Sequence, residues 1–345
     1  MDRLARIPAR DRRDLFAEVA ATLGIRPTII EKDFWVCFVL RMLFAGSSFK
    51  GSLVFKGGTS LSKVYGLIER FSEDIDLVLD WKLIGFGEGL KDPLQSFGSK
   101  TQQDKFNKGI NRIAARYIGE KLCPQLDDFA RSAGIGLSAA VDATDPQVVN
   151  ICYAAAFSEA YIRPEVRLEI GPLAAWVPSA AYTIRPYAFD VFPEIFENPD
   201  CPVVAIAAER TFWEKATIRH QEAHRQTVIP KRYSRHYYDL YKLALSPVKG
   251  RAFARINLLP DVVQFKARFY PSTWANYALA TPGSFKLLLT GDAQLKELQQ
   301  DYQEMQMMLF GKAPGFAAIL AVLKELEDQI NALAAKDITH SAAGG

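Results

Sequence analysis

The architecture of this chain is written most plainly in SLVFKGGTSLSKVYGLIERFSEDIDLVLD, residues 52–80. SLVFKGG (52–58) is a β-branched and aromatic run that ends in two glycines. SLSKVYGLIERF (60–71) places Leu61, Val64, Tyr65 and Ile68 at helical spacing. DIDLVLD (74–80) alternates charged and apolar residues, the pattern of a strand with one buried face. The stretch therefore predicts strand, turn, helix, strand.

The chemistry of this unit lies in its turn and its second strand. Gly57 and Gly58 let a backbone pass close to a ligand, and Thr59 or Ser60 can cap the helix behind them. A helix N-terminus offers free N–H groups that suit a phosphate, so Gly57, Gly58, Thr59 and Ser60 are the expected phosphate-binding turn. Lys56, just before the glycines, can reach the same anion. Asp74 and Asp76 are two residues apart, so a strand turns both carboxylates to one face. Two such carboxylates repel unless a cation bridges them, and hard oxygen ligands suit Mg²⁺. Glu169, in the alternating run EVRLEIG (165–171), is a candidate third carboxylate on a neighbouring strand. Glu165 and Arg167 share its face and are possible partners for it. Three carboxylates beside a phosphate-binding turn make a phosphoryl-transfer site with room for two metal ions.

Outward from this unit, residues 1–50 predict helices, with Leu15, Phe16, Val19 and Leu23 on one stripe and a second helix starting at Pro27 and Thr28. Residues 100–135 predict inserted helices. NICYAAAF (150–157), EVRLEIG and YTIRPYAF (182–189) predict further strands. From residue 201 the pattern is helical. One stripe runs Leu295, Leu298, Tyr302, Met305, Leu309, and another Phe316, Ile319, Leu323, Leu326, Ile330, Leu333. The expected organisation is α+β: helices over 1–50 packing on the core, an α/β lobe over 51–200, and a helical C-terminal lobe over 201–345. The small-residue tail SAAGG is expected to fray.

Composition narrows the class. The chain has 345 residues, 49% apolar and 23% charged, which argues against wholesale disorder and suggests two lobes. No apolar run approaches the roughly 20 residues that span a bilayer, so no membrane helix is expected. The opening MDRLARIPARDRRD has no apolar segment behind its charges, so no secretory leader is expected. Four cysteines without a CxxC pair argue against a disulfide scaffold or zinc ribbon and fit a reducing cytoplasm. The net charge of +3 neither demands nor excludes nucleic acid. His220 and His224 stand four apart as HQEAH, but without the HExxH order or a third ligand zinc is not expected.

A glycine turn, a helix and then Asp-x-Asp on a strand is similar to the polymerase-β-like nucleotidyltransferase superfamily. The string FKGGTSLSKVYGLIERFSEDIDL (55–77) closely resembles the AbiEii-type nucleotidyltransferase toxins of bacterial toxin–antitoxin systems. Fifteen residues separate Gly58 from Asp74, more than in the general superfamily pattern, and look like the AbiEii form. IEKDFW (30–35), ERTFWEKATIRH (209–220) and RYSRHYYDLYKL (232–243) resemble further motifs of that family. The likeness runs from about residue 28 to 245. In the last motif, His236 stands where the family usually has a first Asp, and Asp239 remains.

The resemblance implies a small mixed sheet flanked by helices, an NTP substrate and a Mg²⁺ requirement. It also implies an RNA acceptor such as the tRNA 3′ end, and a cognate antitoxin. It gives Lys215 and Asp239 catalytic or orienting parts. Lys215 and Arg219, four apart on one helix face, would meet the triphosphate, and His236 could hydrogen-bond a phosphate. Tyr233, Tyr237, Tyr238 and Tyr241, interleaved with Arg232 and Arg235, either stack on single-stranded nucleic acid or pack the helix. Two other readings stay open. The acceptor could be a small molecule or a protein, or, given His236, the protein could bind nucleotide without catalysis.

Overall fold

A computed structural model describes residues 1–46, 48–72, 74–87, 91–95, 97–159 and 162–342, with the backbone alone over 335–342. The last three residues of the SAAGG tail lie outside the described residues. The chain divides into two units: residues 1–66 with 71–206, and residues 67–70 with 207–345.

The first unit holds a seven-stranded mixed sheet in the order β3-β4-β5-β2-β1-β7-β6. Its strands are β1 (Leu53–Lys56), β2 (Asp74–Leu79), β3 (Ser138–Val141), β4 (Val148–Cys152), β5 (Glu165–Gly171), β6 (Ser179–Ile184) and β7 (Cys201–Ile206). β1 runs antiparallel to β2 and parallel to β7, and β2 runs parallel to β5. Leu53, Val54, Phe55, Ile75, Leu77 and Ile170 are buried. In β5 buried and half-buried residues alternate without a break, as a half-covered strand requires.

Helices α1 (Asp2–Arg6), α2 (Ala9–Leu23) and α3 (Pro27–Arg41) precede the sheet, and α4 (Gly57–Lys63) follows β1. The insertion forms α5 (Lys100–Tyr117) and α6 (Cys123–Ser132), and α7 (Tyr187–Val191) follows β6. α3 packs on β5 and β7 as well as on α2 and α7. It is buried from Thr28 to Leu40 on all sides, its charges included.

Buried charges need partners, and the IEKDFW segment has them. The Glu31 carboxylate accepts the backbone N–H groups of Ala156 (2.8 Å) and Phe157 (3.1 Å). Asp33 accepts the backbone N–H of Tyr187 at 2.6 Å and pairs with Lys63 Nζ at 2.6 Å. Lys63 also donates to the carbonyl of Arg185 (2.8 Å) and lies 3.8 Å from the Tyr187 ring centre. The charges of this motif therefore tie α3 to the end of α4 and to the β6–α7 corner.

Several local expectations change. The strand expected over 150–157 spans Val148–Cys152. The helix expected over 60–71 begins at Gly57 and ends at Lys63. Gly66 takes φ +61°, a helix-ending conformation, while the Tyr65 hydroxyl donates to the carbonyl of Ile206 at 2.7 Å. The strand expected over 182–189 stops at Ile184, because Pro186 has no N–H to pair and leads into α7. Cys201–Ile206, expected to open a helical region, is instead β7. Its valines and isoleucine favour a pleated surface, and it pairs along its whole length with β6.

The second unit is helical: α8 (Ala208–Ala223), α9 (Ser234–Ala244), α10 (Val248–Ala254), α11 (Leu258–Phe269), α12 (Asp292–Met305) and α13 (Phe316–Ala342). α9 packs against α8, α10, α12 and α13. The two expected stripes bury Leu298, Tyr302 and Met305 on α12, and Ile319, Leu323, Leu326 and Ile330 on α13.

Candidate active site

In the first unit the turn and the carboxylates meet. The antiparallel register puts Lys56 opposite Asp76. The next residue, Gly57, has φ +79° and lies against the Asp76 side chain. A Cβ added there would overlap the Asp76 carboxylate, 2.6 Å from its Cγ. No other residue type can keep the backbone and the carboxylate in these positions. The parallel register then sets Asp76 beside Glu169, and Asp74 beside Arg167. Asp74, Asp76 and Glu169 thus share one face of the sheet at the mouth of the glycine turn.

Electrostatics mark this face. Partial burial raises the Glu169 pKa, and the negative charges of Asp74 and Asp76 push it further up. Arg167 opposes them. Its Nε lies 3.4 Å from Glu169 Oε1 and 3.8 Å from Asp74 Oδ1, and its Nη1 donates to Asp142 Oδ2 at 3.0 Å. Among the described residues no three His, Cys, Asp or Glu side chains form a ready-made metal cage. Mg²⁺ does not need one: it keeps several waters and is usually held by one or two carboxylates together with substrate phosphates. Asp74 and Asp76, with Glu169 next to them, fit that donor set.

The hydroxyls of the turn serve a different purpose from the one expected. Thr59 Oγ1 donates to the carbonyl of Asp74 at 2.5 Å, and Ser60 Oγ donates to the carbonyl of Gly57 at 2.9 Å. Both side chains are buried. They fix the turn and its distance from β2, and leave Gly57 and Gly58 to present backbone.

The remaining candidates belong to the second unit. Asp239 is fully buried. It accepts a two-pronged contact from Arg70, Nε to Oδ1 at 2.6 Å and Nη2 to Oδ2 at 2.8 Å. Lys215 Nζ donates to Oδ2 at 2.7 Å and lies 3.3 Å from His236 Nδ1. Burial alone would raise the Asp239 pKa, but Arg70 and Lys215 outweigh it and hold it well below the usual carboxylate range. Burial lowers the His236 pKa, and the Lys215 charge lowers it further, so the ring is neutral at pH 7.

Lys215 and Asp239, expected at the nucleotide, are thus interior partners of each other. Arg219 is also buried. Its guanidinium stacks 3.4 Å from the Tyr237 ring centre and donates to the carbonyl of Leu287 at 3.3 Å. Tyr237 and Tyr238 are core residues, which removes them from any nucleic-acid platform. His220 uses both ring nitrogens, accepting from the Lys286 N–H and donating to the Asn276 carbonyl, each at 3.1 Å. Arg70 carries no site signal in the sequence: it is a lone arginine in the stretch 60–71 expected to be helix.

The family model for the nucleotidyl transferase AbiEii toxin, type IV toxin–antitoxin system, matches residues 39–322. The chain belongs to the AbiEii toxin family. Members of this family are nucleotidyltransferases, which act on an NTP, typically with a divalent metal, and are paired with an antitoxin. No curated protein matches the chain. Among solved structures it resembles MenT4, a nucleotidyltransferase toxin from Mycobacterium tuberculosis H37Rv. The two are 17% identical, with 90% of this chain and 87% of that chain covered and a TM-score of 0.45. No described helix of this AbiEii chain is long and apolar enough to cross a membrane.

Two variants separate the two clusters. Gly57→Ala should displace Asp76 and lower nucleotidyl transfer by about a hundredfold, with a stability loss of about 1–3 kcal/mol. Transfer rates and urea melts read the two effects. Asp239→Asn should cost about 3–5 kcal/mol at pH 7, because Arg70 and Lys215 stay buried without a counter-charge. The folded pKa of Asp239 is depressed, so its stabilisation is present above the unfolded value of about 4 and fades below it. The gap between wild type and Asp239→Asn in urea melts should therefore narrow from pH 7 to pH 3.

Proposed function

We propose that this AbiEii-family chain transfers NMP from an NTP to an RNA 3′ end, with tRNA as the acceptor and Mg²⁺ as the metal. In this reading it acts in the cytoplasm as a toxin that a cognate antitoxin counters. The observation that carries the proposal is the contact of the Asp76 carboxylate with the Gly57 backbone, with Asp74 and Glu169 on the same face.

Asp74 and Asp76 would hold Mg²⁺, with Glu169 as the third group. When bound, the ion offsets the triphosphate charge and aligns the reacting oxygens. Gly57 and Gly58 present a backbone without side chains, against which the phosphates lie. Lys56, opposite Asp76 in the register, adds positive charge at the same edge. Glu169, beside Asp76 in the register, would take the proton of the acceptor hydroxyl. The freed oxygen bonds to the α-phosphorus, the bond to the β-phosphate oxygen breaks, and pyrophosphate leaves. In this reading Lys215, Arg219 and Asp239 have an interior part, with the half-buried His236 beside Lys215.

The test incubates the purified protein with Mg²⁺, total tRNA and each α-labelled NTP in turn, with Asp76→Ala alongside. Label should join tRNA with wild type only, while the variant keeps its fold by circular dichroism. Label on protein or on a small molecule would move the acceptor to another class. No pyrophosphate release with any acceptor would favour a nucleotide-binding protein without catalysis.

A further inference from the structure

Arg167 is a cation on the carboxylate face, and the proposed chemistry gives it no part. It stands on β5 directly beside Asp74 in the register and two residues before Glu169, on the same face as both. Its guanidinium lies 3.4 Å and 3.8 Å from two of the three carboxylates that the function assigns to a metal. It is held by a third acid outside that set, Asp142, at 3.0 Å. Asp142 is itself fixed: it accepts from Thr144 Oγ1 at 2.7 Å, from the Thr144 N–H at 2.9 Å and from Asn150 Nδ2 at 3.0 Å.

We propose that Arg167 is the resident counter-cation of the Asp74–Glu169 face, a positioning residue that makes metal entry depend on the nucleotide. The inference rests on the assignment of the metal to these carboxylates. A dication arriving alone meets a fixed positive charge within about 4 Å of its ligands and is repelled by it. A triphosphate brings negative charge to the same place. It offsets that repulsion and offers the guanidinium oxygens to bond in exchange for Asp74 and Glu169. The carboxylates face an arginine. Arg167 sets the order of binding, nucleotide with metal, and keeps the acidic face neutralised between turnovers.

The experiment measures Mn²⁺ binding to the full chain by electron paramagnetic resonance, without nucleotide and with a non-hydrolysable NTP analogue. Wild type should bind Mn²⁺ weakly alone and about tenfold or more tightly with the analogue. Arg167→Gln should bind Mn²⁺ alone about tenfold more tightly than wild type. A merely structural arginine would change the affinity in the opposite direction when removed. Equal affinity in wild type with and without the analogue overturns the inference, and that comparison needs no variant. An Arg167→Gln protein that binds Mn²⁺ no more tightly than wild type also overturns it. Asp76→Ala should lose the Mn²⁺ bound with the analogue. If it does not, the metal assignment itself fails and the role of Arg167 falls with it. If it does, while Arg167→Gln is unchanged, only the role of Arg167 fails.

Discussion

The site depends on a single close approach, the Asp76 carboxylate against the backbone of Gly57. β1 and β2 are antiparallel neighbours, so the residue that ends β1 lies opposite the second aspartate of β2. A side chain at residue 57 would fill the carboxylate's place, and a shift of one residue in register would turn both aspartates into the core. Thr59 fixes the same distance from the other side by donating to the carbonyl of Asp74. Through β2 the constraint passes to β5, where Glu169 and Arg167 take their places. The Asp33–Lys63 pair then holds α4, and so the far side of the turn, to α3.

The second unit has its own centre of charge. Asp239 collects Arg70 and Lys215, two cations against one buried carboxylate, with the neutral His236 ring beside Lys215. His236 Nδ1 lies 3.3 Å from Lys215 Nζ. A second carboxylate there would bring another negative charge toward Lys215, while the ring accepts a contact without adding charge. The ring therefore leaves the ion pair of Lys215 with Asp239 undisturbed.

Much of this was legible in the sequence because it is local. The glycine pair, the Asp-x-Asp strand and the alternation of EVRLEIG each encode geometry over a few residues. The end of α4 was harder to see, since Leu67 and Ile68 continue a helical spacing that Gly66 interrupts with a left-handed turn. β7 was missed because six residues of strand open a long helical region. The roles of Lys215, Arg219 and Asp239 depend on burial, which spacing does not reveal. A lysine four residues from an arginine reads as a basic face, yet both are interior. Arg70 and Asp239 are 169 residues apart, so nothing short of the fold could join them. Arg167 stood in view as a partner for Glu169, but its reach to Asp74 and Asp142 required the parallel pairing of β2 with β5 and the antiparallel pairing of β4 with β5.

In the proposed function the nucleotide and its metal bind where the glycine turn meets the aspartates. Anomalous diffraction from crystals grown with Mn²⁺ and a non-hydrolysable NTP tests it most directly. The account predicts a Mn²⁺ peak at Asp74 and Asp76 with the triphosphate along Gly57 and Gly58. A Mn²⁺ peak away from these carboxylates, or a triphosphate bound elsewhere, would contradict it.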